Sequence, residues 1–317
     1  MGAGQIGSRH LQSLKAVKIP LEITVVDSSE NSLNTAKERY GAMNTSGGNH
    51  VLNYTDKIPV SLKFVDLVII ATASGPRAAL TKELLRKARV KYLILEKILF
   101  QKKSDYAQID KLLKAKKVKA WVNCPMRMVP FYAGLKKEFN RKKITYVLYG
   151  NRSGMATDLI HHVDFVSFLT ESSDLKLYPK LLDKKTKKSK HEGYFEITGS
   201  LFIFFGNGSQ LIIRCDAKGQ SPKIIEIFDS EKRYTILESG GRALMSRAPN
   251  WELKEIEFDL PYQSQLTTIL VENLLSKGAC ELPTLKESAK LHLQIFEPIR
   301  IFLNQNSKNK LNYFPFT

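Results

Sequence analysis

Gly2-Ala3-Gly4-Gln5-Ile6-Gly7, followed by SRHLQSL at 8–14 and LEITVVD at 21–27, is the stretch that decides the fold. It matches the pattern GxGxxG. The first glycine of that pattern permits a tight turn, the second lets a pyrophosphate approach the backbone, and the third lets a helix pack closely on a strand. A helix from about Ser8 then aims its first N–H groups at the phosphates. Gln5 and Ile6, inside the turn, become candidate cofactor contacts with the glycines. Asp27 stands 20 residues after Gly7 at the end of an apolar run, where a carboxylate accepts hydrogen bonds from the adenosine ribose. An acid there repels a 2′-phosphate, and serines rather than arginines follow it. The reading therefore favours NAD over NADP.

The same fingerprint expects a strand before its first glycine, and only Met1 precedes it. That strand is ordinarily central in its sheet. Five buried apolar residues at about 1.5–3 kcal/mol each would contribute about 10 kcal/mol, comparable to a whole domain's net stability. The expectation is that the natural start lies upstream of Met1 or that the chain is truncated.

Length and composition bound the rest. A chain of 317 residues, 43% apolar, has material for two domains. No run approaches the ~18 uninterrupted apolar residues of a membrane span, and MGAGQIGSRH is no signal or transit peptide. A myristoylation motif asks for Ser or Thr at position 6, where Ile6 stands. Cys124, Cys215 and Cys280 are scattered and show no metal-ligand spacing, so neither a disulfide framework nor a metal site is expected, and a reducing, cytoplasmic setting fits. The net charge is +18. It comes mostly from lysine runs at 111–119, 136–143 and 180–190. No aromatics interleave with them as a nucleic-acid stacking platform requires, so solvated faces are the simpler reading and no nucleic-acid partner is expected. The positive field suits an anionic substrate such as a nucleotide sugar.

The first third alternates strand and helix. Apolar runs at 21–27, 65–71, 90–95 and 118–123 are separated by helical patterns such as 79–89 and 106–114. Strands too apolar to face water argue for a parallel sheet covered on both sides. The character changes after about 122. Residues 144–150 read as a strand and 156–170 as a helix. YFEITGSLFIFF, GNGS and QLIIRCD form a hairpin signal, and KIIEIFDSEKRYTILE forms a second with its turn near Ser230. One more strand is expected within 251–260, and helices at 263–275 and 285–303. The lysine-rich 175–191 reads as a loop or frayed helix. The expected fold is α/β: a dinucleotide-binding domain at 1–121 with a Rossmann-type parallel sheet whose first strand is missing, then an α+β substrate and oligomerisation domain at 122–317 with a large, mostly antiparallel, open sheet.

These motifs resemble those of the Gfo/Idh/MocA oxidoreductases, in order and over nearly the whole chain. They are GAGQIGSRHLQSL, ATASGPRAAL at 71–80, Glu96-Lys97, NCPMRMVPFYAGLK at 123–136 and DLIHHVD at 158–164. The resemblance implies that Ala71, Thr72, Ser74, Arg77 and Glu96 line the cofactor, that Lys97 reaches the reacting carbon, and that His161 is the acid/base. It implies that Asp158 joins the catalytic group and that Arg127 meets the substrate. Ile98 stands where the family's EKP signature has proline. His162 lies beside His161, so either is open as the acid/base, and His162 is a further candidate for substrate contact. The resemblance also implies homodimers or homotetramers through the open face of the second sheet.

The chemistry suits those residue types. Oxidising an alcohol with NAD needs the hydroxyl proton removed as the hydride leaves, and histidine titrates near neutral pH. A lysine cation stabilises the developing alkoxide. Asp158, His161 and Asp164, three apart on a helix, share a face and let a carboxylate orient the imidazole. The expected function is that of an NAD(P)-dependent dehydrogenase or reductase acting on CH–OH groups of a sugar or nucleotide sugar. The alternative is a catalytically weak NAD-binding sensor or scaffold.

Overall fold

The computed structural model describes residues 1–317 apart from Ser46 and residues 151–153. In chain order the first elements are α1 (Gln5–Leu14), β1 (Glu22–Val26), α2 (Glu30–Gly41), β2 (Val51–Thr55), β3 (Phe64–Ile70), α3 (Ser74–Lys87), β4 (Arg89–Leu95), α4 (Lys103–Lys116) and β5 (Lys119–Val122). Then follow α5 (Pro130–Phe139), β6 (Thr145–Tyr149), α6 (Met155–Thr170), β7 (Leu175–Tyr178), β8 (Lys187–Lys188), β9 (Phe195–Glu196), β10 (Gly199–Phe205), β11 (Gln210–Cys215), β12 (Ile224–Phe228), β13 (Lys232–Leu237), β14 (Arg242–Arg247), β15 (Lys254–Glu257), α7 (Gln263–Lys277) and α8 (Leu285–Gln305).

The chain forms two compact units. The first comprises Met1–Phe100, Ser104–Pro125 and Pro261–Leu285; the second holds the remainder. A boundary at 121/122 leaves α7 in the second domain, yet α7 packs on α1 in the first. Sequence order conceals this, because the chain returns to the first unit after completing the second unit's sheet. Among the described residues no helix is long and apolar enough to cross a membrane.

All strand pairs of the first unit's main sheets are parallel. β1 pairs with β2, and β3, β4 and β5 form a separate three-stranded sheet. β4 is apolar and buried along nearly its whole length, as a strand covered on both faces must be. The helix expected at 79–89 begins earlier, at Ser74. Gly75 and Pro76 fit its first turn, where N–H groups lack intrahelical partners anyway.

The second unit carries an eight-stranded sheet in the order β15-β14-β13-β12-β6-β11-β10-β7. All its pairs are antiparallel except β6 with β11. Both expected hairpins are present, β10 with β11 and β12 with β13. The expected loop at 175–191 is corrected: Leu175–Tyr178 is a strand on the edge beside β10. Its LKLY alternation buries Leu177 and exposes Lys176 and Tyr178, a two-residue period hidden by the lysines that follow. α6 is buried over most of its circumference and packs against β11.

A buried polar chain ties the first unit together. His10 of α1 meets Thr267 of α7 at 2.8 Å through Nδ1 and Glu96, after β4, at 2.9 Å through Nε2. Asn123, after β5, donates to Glu96 and, at 2.9 Å, to Gln263. Burial pushes the Glu96 carboxyl up, but the hydrogen bonds and charge of His10, the Asn123 amide and the Lys97 charge outweigh it and hold the group below the usual carboxylate range. A carboxyl so depressed adds stability above its unfolded pKa, and that stability is lost as pH falls through the folded value. Removing one partner leaves a buried carboxylate short of a hydrogen bond. His10→Ala is expected to cost about 3 kcal/mol in urea unfolding, and His10→Gln, which keeps one hydrogen bond, less.

Candidate functional site

In the first unit the candidate site is the glycine turn between Met1 and α1. Gly2 has φ +82° and donates to the Val26 carbonyl at 2.8 Å. A Cβ on Gly7 would lie 1.7 Å from the Gly2 carbonyl oxygen, so Gly7 is required by the chain's own packing. A Cβ on Gly2 would lie 2.9 Å from the backbone of Ala71 and Thr72, which places those two residues against the turn. Gly4 differs. Its Cβ would meet nothing within 4 Å, and its φ of −61° is open to any residue. Gly4 caps α1 without a side-chain hydrogen bond, leaving the first-turn N–H groups facing outward. Close by, the Thr72 hydroxyl is buried and has no hydrogen-bond partner among the described residues. An uncapped helix start, a glycine the fold does not need and an unsatisfied hydroxyl fit a bound pyrophosphate.

Asp27 already holds the turn. Its Oδ2 accepts from the Ala3 N–H at 2.6 Å and its Oδ1 from the Ser29 N–H at 2.9 Å. Each oxygen keeps a lone pair for a ribose hydroxyl. Sequence reasoning missed Arg39. From α2 it donates to Gln5 Oε1 at 2.8 Å and Ser8 Oγ at 2.5 Å, bringing a positive charge beside the start of α1. Nothing in the local sequence marks it, because it lies far along the chain on the next helix. Ile6 is exposed on α1.

Two residues expected at the cofactor have structural roles instead. Arg77 is 1% exposed and donates to the carbonyls of Thr72, Ile98 and Leu99, binding the segment after β3 to the segment after β4. Glu96, 6% exposed, belongs to the polar chain around His10. Ser74 is also buried, as the first residue of α3. Lys97 is half-buried in the segment that Arg77 holds, and the Lys97–Ile98 peptide is cis.

In the second unit α6 gathers the other candidates. Asp158, in its first turn, pairs with Lys223 at 2.7 Å. Lys223 precedes β12 and was not singled out by the sequence, since only the sheet brings the start of β12 to α6. His161 is half-buried, whereas His162 is 2% exposed and its Nδ1 meets the Tyr146 hydroxyl at 2.6 Å. The substrate contact expected of His162 is therefore corrected: its ring belongs to the interior. Burial, with the nearby Lys223 charge, pushes His162 down to about 3, so it stays neutral. Arg127, expected at the substrate, makes a two-pronged pair with the buried Asp164, Nε to Oδ2 at 2.7 Å and Nη2 to Oδ1 at 2.6 Å. Both Asp164 oxygens accept from that guanidinium. Tyr132 donates to Glu238 at 2.5 Å, which the sequence did not foretell.

No protein-family profile and no curated protein sequence matches the chain. Solved structures do. Levoglucosan dehydrogenase in complex with NADH and levoglucosan is similar at 14% identity over 96% of each chain, with a TM-score of 0.72. A UDP-N-acetylglucosamine 3-dehydrogenase from Acidithiobacillus ferrooxidans is 13% identical over 95% of this chain and 97% of its own, with a TM-score of 0.67. A 3-ketoreductase from Actinomadura kijaniata in complex with NADP is 13% identical over 92% of each chain, with a TM-score of 0.65. At these identities the likeness is one of fold.

Two outcomes test this geometry. Gly4→Ala is expected to cost up to about 1 kcal/mol of stability, the difference between the two residues at a helix N-cap, while weakening dinucleotide binding. Gly7→Ala is expected to destabilise the protein outright; thermal melts and calorimetry separate the two. His162 takes a proton on unfolding below its ordinary value of 6.5 but not while folded above about 3. Stability is thus expected to fall as pH drops from 6.5 towards 3, by up to about 1.4 kcal/mol per pH unit from this group. His162→Gln is expected to flatten that slope in urea titrations run at successive pH values.

Proposed function

We propose that the chain is an NAD(P)-dependent oxidoreductase that moves a hydride between the nicotinamide cofactor and a hydroxyl or keto carbon of a sugar or nucleotide sugar. One observation carries the reading: Gly7 is needed by the fold, while Gly4 clears space in front of an uncapped helix start. The similar structures support it, being dehydrogenases and a reductase, one in complex with NADH and one in complex with NADP. Asp27 at the end of β1 favours NAD.

The cofactor, when bound, supplies the hydride acceptor or donor. Gly4, Gln5, Ile6 and Gly7 bind its pyrophosphate through backbone N–H groups, Gly2 makes the turn that brings them to it, Asp27 binds the ribose, and Ala71 and Thr72 lie against the turn. In the oxidative direction His161 takes the proton from the substrate hydroxyl oxygen as that carbon loses hydride. Lys97 stabilises the negative charge developing on the same oxygen. Asp158, paired with Lys223, acts with His161 on the first turns of α6. The net positive charge draws in an anionic substrate. A second copy of the chain covers the open sheet face, where Tyr149, Tyr178 and Phe204 are exposed and the latter two rings meet edge-on at 5.5 Å.

The test is calorimetry followed by kinetics. NAD is expected to bind more tightly than NADP, and Asp27→Ala is expected to weaken NAD at least tenfold. His161→Ala and Lys97→Ala are each expected to keep NAD binding and lose about 10²–10⁴-fold in turnover against a sugar-substrate panel. Absence of binding to either dinucleotide overturns the reading. Unchanged turnover in His161→Ala overturns its role.

A further inference from the structure

The lysine run at 111–119 reads from sequence as a solvated face, and the fold gives the end of that run a different setting. β3, β4 and β5 are parallel and start at one end of the first unit, where α3 and α4 finish. The glycine turn lies at the other end of β3, seven residues or about 23 Å away. At the strand starts opens a cleft with a volume of about 660 Å³, within the range of small-molecule sites. Arg86, Lys87, Arg89, Lys91, Lys116 and Lys117 line it, all six exposed, and among the described residues no carboxylate does. Ala88 and Ala115, also in the lining, are too short to fill it.

Cations near a helix C-terminus ordinarily answer the helix dipole, and Arg86, Lys87 and Lys116 stand in such last turns. That need is small here. Each helix end carries about half a negative charge. The two ends and Glu83, which pairs with Lys87 at 2.7 Å, together offset about two of the six cations. Among the described residues the other five make no ion pair. Arg89 and Lys91 lie on β4, where no helix dipole calls for them. Like charges gathered in this way repel and weaken the folded unit, a cost that a bound anion removes. Lys117 is a separate sign. It turns the chain from α4 to β5 with φ +55°, the left-handed conformation in which helices commonly end on glycine. Glycine would make that turn with less strain, so the turn itself does not call for the lysine.

We propose that this cleft binds a compact ligand carrying two or more phosphate groups, at a site separate from the glycine turn. The class follows from charge. About four cations remain uncompensated once the helix ends and Glu83 are counted, and two or more phosphates bring that much negative charge in one small molecule, whereas each carboxylate brings one. Arg86 and Arg89 add planar guanidinium groups that take two phosphate oxygens at once. A concave site of this volume suits a free ligand; a phosphorylated lipid headgroup presents the same chemistry. The proposal stands apart from the cofactor assignment, since it uses none of the residues of the glycine turn.

The test titrates the full chain with inorganic tripolyphosphate at about 0.15 M salt, where distant charges are screened, and reads backbone amide resonances. The Ala88, Arg89 and Lys117 amides are expected to shift saturably, with half-saturation at about 1 mM or below. The Gly4 and Gln5 amides report the glycine turn separately. Arg89→Gln combined with Lys117→Gly is expected to weaken binding at the cleft at least tenfold and to leave any shifts at Gly4 and Gln5 unchanged. Should that double variant fail to fold, Lys117→Gly alone, which relieves the left-handed backbone, is read in the same way. Lys37→Gln combined with Lys57→Gln, which removes two exposed charges elsewhere in the unit, is expected to leave binding as it is. Vesicles of equal parts phosphatidylserine and phosphatidylcholine separate the sources. Failure to co-sediment the protein is expected and leaves the phosphates on a free ligand; co-sedimentation that the double variant abolishes places them on a headgroup. Absence of saturable shifts at the cleft amides up to about 10 mM overturns the proposal, as does equal weakening by the Lys37 and Lys57 changes. Tighter binding of a DNA duplex than of tripolyphosphate, lost in the double variant, overturns it in favour of a nucleic-acid surface.

Discussion

The approach of Gly7 to the Gly2 carbonyl is the contact on which the first unit depends. It brings the start of α1 down onto a turn bonded on one side to the end of β1 and on the other to the end of β3. With any side chain at position 7 the helix would stand off. Its buried face, with Leu11 against Val25 and Ala36, would lose its packing. The Asp27 carboxylate completes the arrangement by accepting the Ala3 and Ser29 amides, which holds the turn and the start of α2 on one anion. A single carboxylate is thus placed both to brace the backbone and to face a ribose.

Beneath the turn the polar groups divide into those satisfied within the chain and those that are not. His10, Glu96, Asn123, Gln263 and Thr267 hydrogen-bond to one another in the interior, and Arg77 is occupied by three carbonyls. Groups paired in this way rigidify the strand ends near Lys97. The Thr72 hydroxyl lies outside that network and next to the turn. In the second unit His162 is neutral and bonded to Tyr146 in the interior, and His161 one residue earlier is half-buried.

Much of this was legible from the residues. Alternating apolar runs announce the parallel strands, GNGS and the turn near Ser230 announce the hairpins, and the spacing from Gly7 to Asp27 announces the turn and its acid. Local signals failed where the deciding contact is distant. The edge strand at 175–178 is too short and too close to a lysine run to stand out, and it forms because β10 offers it an open edge. Arg77 and Arg127 carry the charge and position of ligand-binding residues, and only their partners show that they bind backbone and Asp164.

By itself the sequence determined the fold class, the glycine turn and the helix that presents the two histidines, because each is written in short-range periodicity and in residues whose backbone freedom or charge has few uses. Only the tertiary structure decided which histidine is fully buried, which arginines are struts, that Lys223 meets Asp158, and that α7 returns to the first unit. Those outcomes depend on burial and on pairing between residues far apart in the chain. A charged or polar side chain takes its role from whichever partner the fold brings within hydrogen-bond reach.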